Sequence, residues 1–273
     1  NYGFAALTVR DAPLYDPNFG DVGGLYDPFM FLTYIAAHTK SIALTTGSIV
    51  TTLRHPFHTA KAASTLDQLS NQRFIMGVAT GDRHIEFPAF KVEREDKGEL
   101  FREAVTVMKQ LWQEDFPVIQ TERAHLTEGD VVPKPDFGSI PVFGTGYSSQ
   151  TIEWLAEHTD GWMFYPQELK KQAALINQWR GLTPHFKPFT QPLMIDLSER
   201  ANEAPKTLEI GFRAGRNFLI DYLNAYQDAG VNHMTIALKG SSRPAAEVIQ
   251  ELGEFVVPKF PAHRDQKFTF LNQ

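Results

Sequence analysis

The sequence predicts an α/β chain folded as a (β/α)8 TIM-type barrel. Three observations lead there. Apolar strand-like runs alternate with segments of helical periodicity along most of the chain. Those runs are continuously apolar rather than alternating, which indicates strands buried on both faces, as in a parallel sheet covered by helices. And 273 residues is an ordinary length for a single barrel domain of this kind. An open doubly wound sheet satisfies the same pattern, so both architectures stand at this point.

The elements follow in order. Residues 4–9 form a short apolar run. Residues 28–40 read as a helix, with Asp27 as its N-cap, Pro28 in the first helical position and Phe31, Ile35 and Ala36 at helical spacing. Residues 42–50, rich in Ile, Leu, Val and Thr, suit a buried strand. Residues 55–69 read as a helix with Ala62, Leu66 and Leu69 on one face, and 73–79 as a strand. The clearest helix is 98–112, where Leu100, Phe101, Ala104, Val107, Met108 and Leu111 keep the period. The polar, Pro-rich stretch 113–139 breaks the rhythm and reads as an excursion from the barrel. Then come strand 140–144, helix 148–157, strand 161–165, helix 168–179, strand 193–197 and a polar loop, 198–205. A helix over 216–229 ends at Gly230, a suitable C-cap. Strand 231–238 and helix 245–257 close the list. These are seven strands within one domain, 1–273. The opening Asn1-Tyr2-Gly3-Phe4 has no initiator Met and no cap, so the expectation is that a first strand–helix unit lies upstream of residue 1.

Composition narrows the function. With 42% hydrophobic and 21% charged residues the chain reads as globular. A net charge of −6, with no run of Lys and Arg, argues against a nucleic-acid partner. No apolar stretch approaches the roughly 20 residues of a membrane span. There is no cysteine, so thiolate catalysis, thiolate metal sites and disulfides are excluded; this fits a reducing, cytoplasmic setting.

In such folds chemistry sits at the carboxyl ends of the strands. The residues there are Arg10 and Asp11; Gly47 and Ser48; Thr80, Gly81, Asp82, Arg83 and His84; and the run Gly144-Thr145-Gly146-Tyr147-Ser148-Ser149 followed by Thr151. That run is suited to phosphate: glycines admit close approach, and hydroxyls at the start of a helix add donors. It is equally the composition of a plain strand-to-helix turn. Gly47 inside a strand marks a ligand contact, a bulge or tight packing. Arg54-His55-Pro56 is a catalytic candidate, while Pro56 at a helix start puts His55 near the cap, where a structural hydrogen bond is the expected role. His84 and Glu86 face opposite ways in an extended segment, so no metal site is expected.

Several of these stretches carry a resemblance. Thr39-Lys40-Ser41-Ile42-Ala43-Leu44-Thr45-Thr46-Gly47-Ser48-Ile49-Val50 continues as Leu53-Arg54-His55-Pro56, as Ala60-Lys61-Ala62-Ala63-Ser64-Thr65-Leu66-Asp67-Gln68-Leu69-Ser70 and as Arg73-Phe74-Ile75-Met76-Gly77-Val78-Ala79-Thr80-Gly81. With Gly98-Glu99-Leu100-Phe101-Arg102-Glu103-Ala104, Pro133-Lys134-Pro135 and Ala156-Glu157-His158-Thr159-Asp160-Gly161-Trp162, the chain resembles the luciferase-like monooxygenases along nearly its whole length. The resemblance implies FMN, or in some branches a deazaflavin coenzyme, at the carboxyl ends of a (β/α)8 barrel. It implies a non-prolyl cis peptide at Gly47–Ser48. It implies cofactor contacts at Gly47, Ser48, Thr80, Gly81, Asp82 (through its backbone), Gly144, Gly146, Tyr147, Ser148 and Thr151. Luciferase proper has Arg where this chain has Thr80 and Glu where it has Tyr147, so phosphate would be held by hydroxyls and amides. The family often places a His after the second strand; here Arg10 or Asp11 takes that acid–base role, or the two form an ion pair at the rim. The implied activity is monooxygenation of a small organic substrate by reduced FMN and O2. A flavin reductase would be a partner, and dimerisation would use the early helices, 56–69 among them. A deazaflavin-dependent hydride-transfer enzyme and a non-catalytic flavin-binding protein are the alternatives.

Overall fold

The computed structural model describes residues 2–20, 25–209 and 211–262. The chain divides into two compact units: Ala6–Gly161, and Trp162 onward together with the residues before Ala6.

In the unit Ala6–Gly161, a parallel sheet is built from β1 (Ala6–Val9), β2 (Ala43–Thr46), β3 (Ile49–Val50), β4 (Phe74–Ala79) and β7 (Val142–Thr145). The helices are α1 (Pro28–His38), α2 (Pro56–Leu69), the single turn α3 (Glu86–Ala89), α4 (Lys97–Gln113) and α5 (Ile152–His158). Asp27 caps α1 as expected, its Oδ1 accepting from the N–H groups of Phe29 and Met30. His55 caps α2 in the same manner, its Nδ1 accepting from Phe57 N–H at 3.2 Å. The apolar stripe of α4 is buried, and Trp112 donates its Nε1–H to the Ala60 carbonyl of α2 at 3.1 Å. Small residues on α2 (Ala60, Ala63 and Ser64, all buried) let the two helices approach.

Two expectations need correction here. The strand over 42–50 is broken: the Gly47–Ser48 peptide is cis, and β2 and β3 pair with β4 in different registers. Leu44 faces Phe74 and Ile49 faces Val78, so five steps on one side match four on the other, the signature of a bulge. The helix predicted from Ser148 begins only at Ile152, because Gly146, Ser148 and Ser149 hold left-handed φ values of 56°, 46° and 56°, which a right-handed helix cannot include. The excursion 113–139 holds an antiparallel hairpin, β5 (Ile119–Gln120) with β6 (His125–Leu126).

Arg73 organises the end of this unit opposite the candidate site. Its Nε donates to Ser70 O, Nη1 to Thr39 Oγ1 and Ile42 O, and Nη2 to Ala36 O and Thr39 O, all within 2.6–3.2 Å. One guanidinium thus satisfies the open carbonyls where α1 ends, β2 is entered and α2 ends.

The other unit holds β8 (Gly161–Met163), α6 (Leu169–Gly181), β9 (Phe189–Leu197), β10 (Lys206–Thr207), β11 (Phe212–Ala214), α7 (Arg216–Asp228), β12 (His233–Ala237) and α8 (Ala245–Phe255). β9 pairs in parallel with β8, β11 and β12, and β10 runs antiparallel to β11. Leu193, Ile195, Leu197, Leu219, Val248, Leu252 and Val256 form its core. β9 starts four residues before the predicted 193. Gln191-Pro192 reads as a break because proline lacks an N–H, yet Pro192 sits in register opposite Thr235. β11 is a parallel strand that the seven-strand reading omits. It is three residues long and follows Gly211, where a side chain would strike the Met194 carbonyl. Among the described residues, no helix is long and apolar enough to cross a membrane.

Candidate functional site

In a parallel sheet the carboxyl ends of all strands lie along one edge. In the unit Ala6–Gly161 that edge brings together most of the residues singled out from sequence. Gly47 donates its N–H to Val9 O at 2.7 Å, tying the end of β2 to the end of β1. A Cβ on Gly47 would stand 2.9 Å from Thr8 Cγ2, so β1 packs directly against the glycine. Thr8 and Thr45 share a hydroxyl–hydroxyl hydrogen bond of 2.7 Å. The Ser48 hydroxyl is hydrogen-bonded to the Thr145 hydroxyl at the end of β7. The Thr145 carbonyl in turn accepts from Ser148 Oγ at 2.7 Å. Gly47, Ser48, Thr145 and Ser148 are therefore one connected set.

Thr80 and Gly81, at the end of β4, lie beside the residues that follow Ser48. The Thr80 carbonyl accepts from Thr52 Oγ1 at 2.8 Å. Gly81 has φ +84° and leaves no room for a side chain, since a Cβ would meet Val50 Cγ1 at 2.8 Å. Gly144 is buried within β7. Gly146 is left-handed with open space where a Cβ would be. Thr151 caps α5, its Oγ1 accepting from Trp154 N–H. Thr80 and Ser148 are buried, whereas Asp82, Tyr147 and Thr151 are exposed.

The acid–base candidates fare differently. Arg10 is exposed. Asp11 is 4% exposed and both of its oxygens are engaged: Oδ2 accepts from Val50 N–H and Arg54 Nε at 3.0 Å, and Oδ1 accepts from Arg54 Nη2 at 2.9 Å. The same Nη2 reaches Asp27 Oδ2 at 3.1 Å. Burial alone would lower the Arg54 guanidinium, but its bonds to Asp11 and Asp27 outweigh that and raise it. Asp11 is thus committed to holding the start and end of the β1–α1 connection. Arg54, a catalytic candidate from its place in Arg54-His55-Pro56, has its partner 43 residues away, and nothing local signals such a pairing.

The segment holding His84 and Glu86 is not extended: a turn at His84 leads into α3 at Glu86. His84 is exposed and Glu86 is fully buried. Burial raises the Glu86 carboxyl above its ordinary value; the Leu14 N–H and Arg83 oppose this, while Asp11 and Asp82 add to it.

The profile of the luciferase-like monooxygenases matches residues 1–245 of this chain. The chain belongs to that family. A sequence relative within it is the alkanal monooxygenase alpha chain of Photorhabdus luminescens, 24% identical over 221 residues, covering 79% of this chain and 60% of the relative. The chain therefore spans about three fifths of that relative's length. Among solved structures, the monooxygenase RslO1 from Streptomyces bottropensis superposes with a TM-score of 0.80 at 17% identity, over 95% of this chain and 89% of the other. An F420-dependent secondary alcohol dehydrogenase follows with a TM-score of 0.76 at 17% identity, over 94% and 90%. These likenesses show the fold: the luciferase-like, TIM-barrel type expected from sequence.

Proposed function

We propose that this luciferase-like chain is a flavin-dependent oxidoreductase that holds FMN at the carboxyl ends of β2, β4 and β7 and acts as a monooxygenase on a small organic substrate. The observation that carries this reading is the linked set Gly47–Ser48, Thr145 and Ser148 at the carboxyl ends of β2 and β7. The donor chemistry fits a phosphorylated flavin. Thr151 Oγ1 accepts from Trp154 N–H and can still donate to a phosphate oxygen, Ser148 would exchange its bond to the Thr145 carbonyl for one to the phosphate, Gly146 has open space where a side chain would be, and no cation is required at Thr80.

When bound, FMN supplies the hydride and oxygen chemistry, and the protein supplies binding, orientation and exclusion of water. Gly47 and Ser48 present flat backbone to the ring. Ser148, Thr151, Asp82 (through its backbone) and the Tyr147–Ser149 turn hold the phosphate. Asp11, with both oxygens bonded, positions the β1–α1 connection rather than moving protons. A separate reductase supplies the reduced cofactor. The F420-dependent neighbour of the same fold makes a deazaflavin the competing cofactor. The acidic net charge and the absence of a run of Lys and Arg in the sequence to meet that coenzyme's acidic tail favour FMN.

Calorimetric titration with FMN, riboflavin and deazaflavin tests the assignment. Ser148→Ala and Thr151→Ala should each weaken FMN about tenfold, the worth of a hydrogen bond to a charged group, and leave riboflavin nearly unchanged. Equal weakening of both ligands would remove the phosphate role, and no saturable binding of any of the three would remove the cofactor.

A further inference from the structure

A charged pair beside the candidate site is not used by the flavin reading. Glu86 opens α3 and is fully buried. Its Oε2 has no hydrogen-bond partner, and its Oε1 accepts from the Leu14 N–H at 3.4 Å. Arg83, 2% exposed, stands three residues earlier with Nη1 3.9 Å from Glu86 Oε1. Its guanidinium carbon lies 4.5 Å from the centre of the Phe19 ring. Leu14 and Phe19 both belong to the segment after β1. A local turn presents the ring: buried Asp16 accepts the Asn18 N–H at Oδ1 (2.9 Å), and its carbonyl accepts the Phe19 N–H (3.2 Å).

Burying a carboxylate and a guanidinium together is costly unless both find partners. Here the partners come from a segment about 70 residues away in sequence. The contact to the Leu14 N–H and the cation–π contact to the Phe19 ring both run to that segment. They are good means of fixing where that segment lies.

We propose that Arg83 and Glu86 are positioning residues: a buried pair in the loop after β4 that anchors the segment after β1 through the Leu14 N–H and the Phe19 ring, building the wall beside the carboxyl ends of β1 and β4. The anchoring stands without any cofactor; the shielding of the ring by that wall rests on the flavin reading above.

Amide hydrogen exchange on the full chain without flavin tests the anchor. In Glu86→Ala and Arg83→Met, the peptide covering 12–20 should exchange about tenfold faster than in the native protein, the worth of one lost hydrogen bond to a charged group. Peptides of α4 should not change. Glu86→Gln keeps the acceptor oxygen and should retain protection. Should Glu86→Ala fail to fold, Phe19→Ala removes the ring from the other side and carries the same expectation. Unchanged exchange over 12–20, or equal acceleration of α4, overturns the anchor. Iodide quenching of bound FMN fluorescence then tests the wall. It should rise in the variants, and equal quenching overturns the shielding. If no protein binds FMN, the flavin reading falls and the shielding with it, while the exchange result still decides the anchor.

Discussion

Gly47 shows how much a single position can carry. Its N–H joins β1, its peptide to Ser48 is cis, and its missing side chain leaves space for Thr8. Gly47→Ala should destabilise the protein by about 1–3 kcal/mol through overpacking against Thr8 Cγ2. Thr8→Ser deletes that methyl and keeps the hydroxyl bonded to Thr45, so the double variant should recover most of the loss. Denaturant unfolding of the four proteins closes the cycle, and a double variant no more stable than Gly47→Ala would place the strain elsewhere. At this scale much was legible in sequence. Gly47, Ser48 and Ser148 stand out because strand ends and small residues in strands are local signals. Asp11 was legible as a strand-end residue but not in its role, since Arg54 reaches it only through the fold. The same holds for Glu86, whose partner Leu14 lies on another connection.

Among elements, the connection between β1 and α1 depends on one side chain. Arg54 bridges Asp11 at its start and Asp27, the α1 N-cap, at its end. Arg54→Met should cost about 3–5 kcal/mol, because it strands a buried carboxylate. Arg54→Met combined with Asp11→Asn should be less damaging than Arg54→Met alone. Thermal unfolding of the set checks this, and additive losses would show that the pair is not coupled. Element boundaries were read well where periodicity is long, as in α4, and poorly where it is short or interrupted. β9 was entered late because proline inside a strand mimics a stop. β11 was missed because three residues carry no period. α5 was started early because Ser148 and Ser149 suit a helix start by composition, and left-handed backbone cannot be read from composition.

For the whole molecule, pH is the accessible handle. Asp67 on α2 is pushed by burial, and then by the nearby charge of Asp136, from 3.8 to about 7. The folded chain therefore holds a proton that the unfolded chain has released. Asp67 contributes stability that is fully present below about pH 4 and is lost as the pH rises through about 7. Asp67→Asn should flatten the stability profile across that interval. A profile whose slope is unchanged in the variant would contradict the assignment. Glu203 acts in the opposite sense: the Ser198 hydroxyl, then Arg200 and Arg213, draw it from 4.5 to about 2, so its contribution is present above its ordinary range and fades in acid. Fold class and family were legible from the full chain because the alternation of elements is a global pattern. What joins those elements, by contrast, is a small number of long-range polar contacts with no periodic signature. Arg73 is the extreme case. Five oxygens from three element ends converge on its three nitrogens, and an ammonium offers three donors without the planar fork. A catalogue of tolerated variants that groups amino acids by charge would rank lysine as the safest replacement there. Sequence drift should instead treat the position as having no synonym.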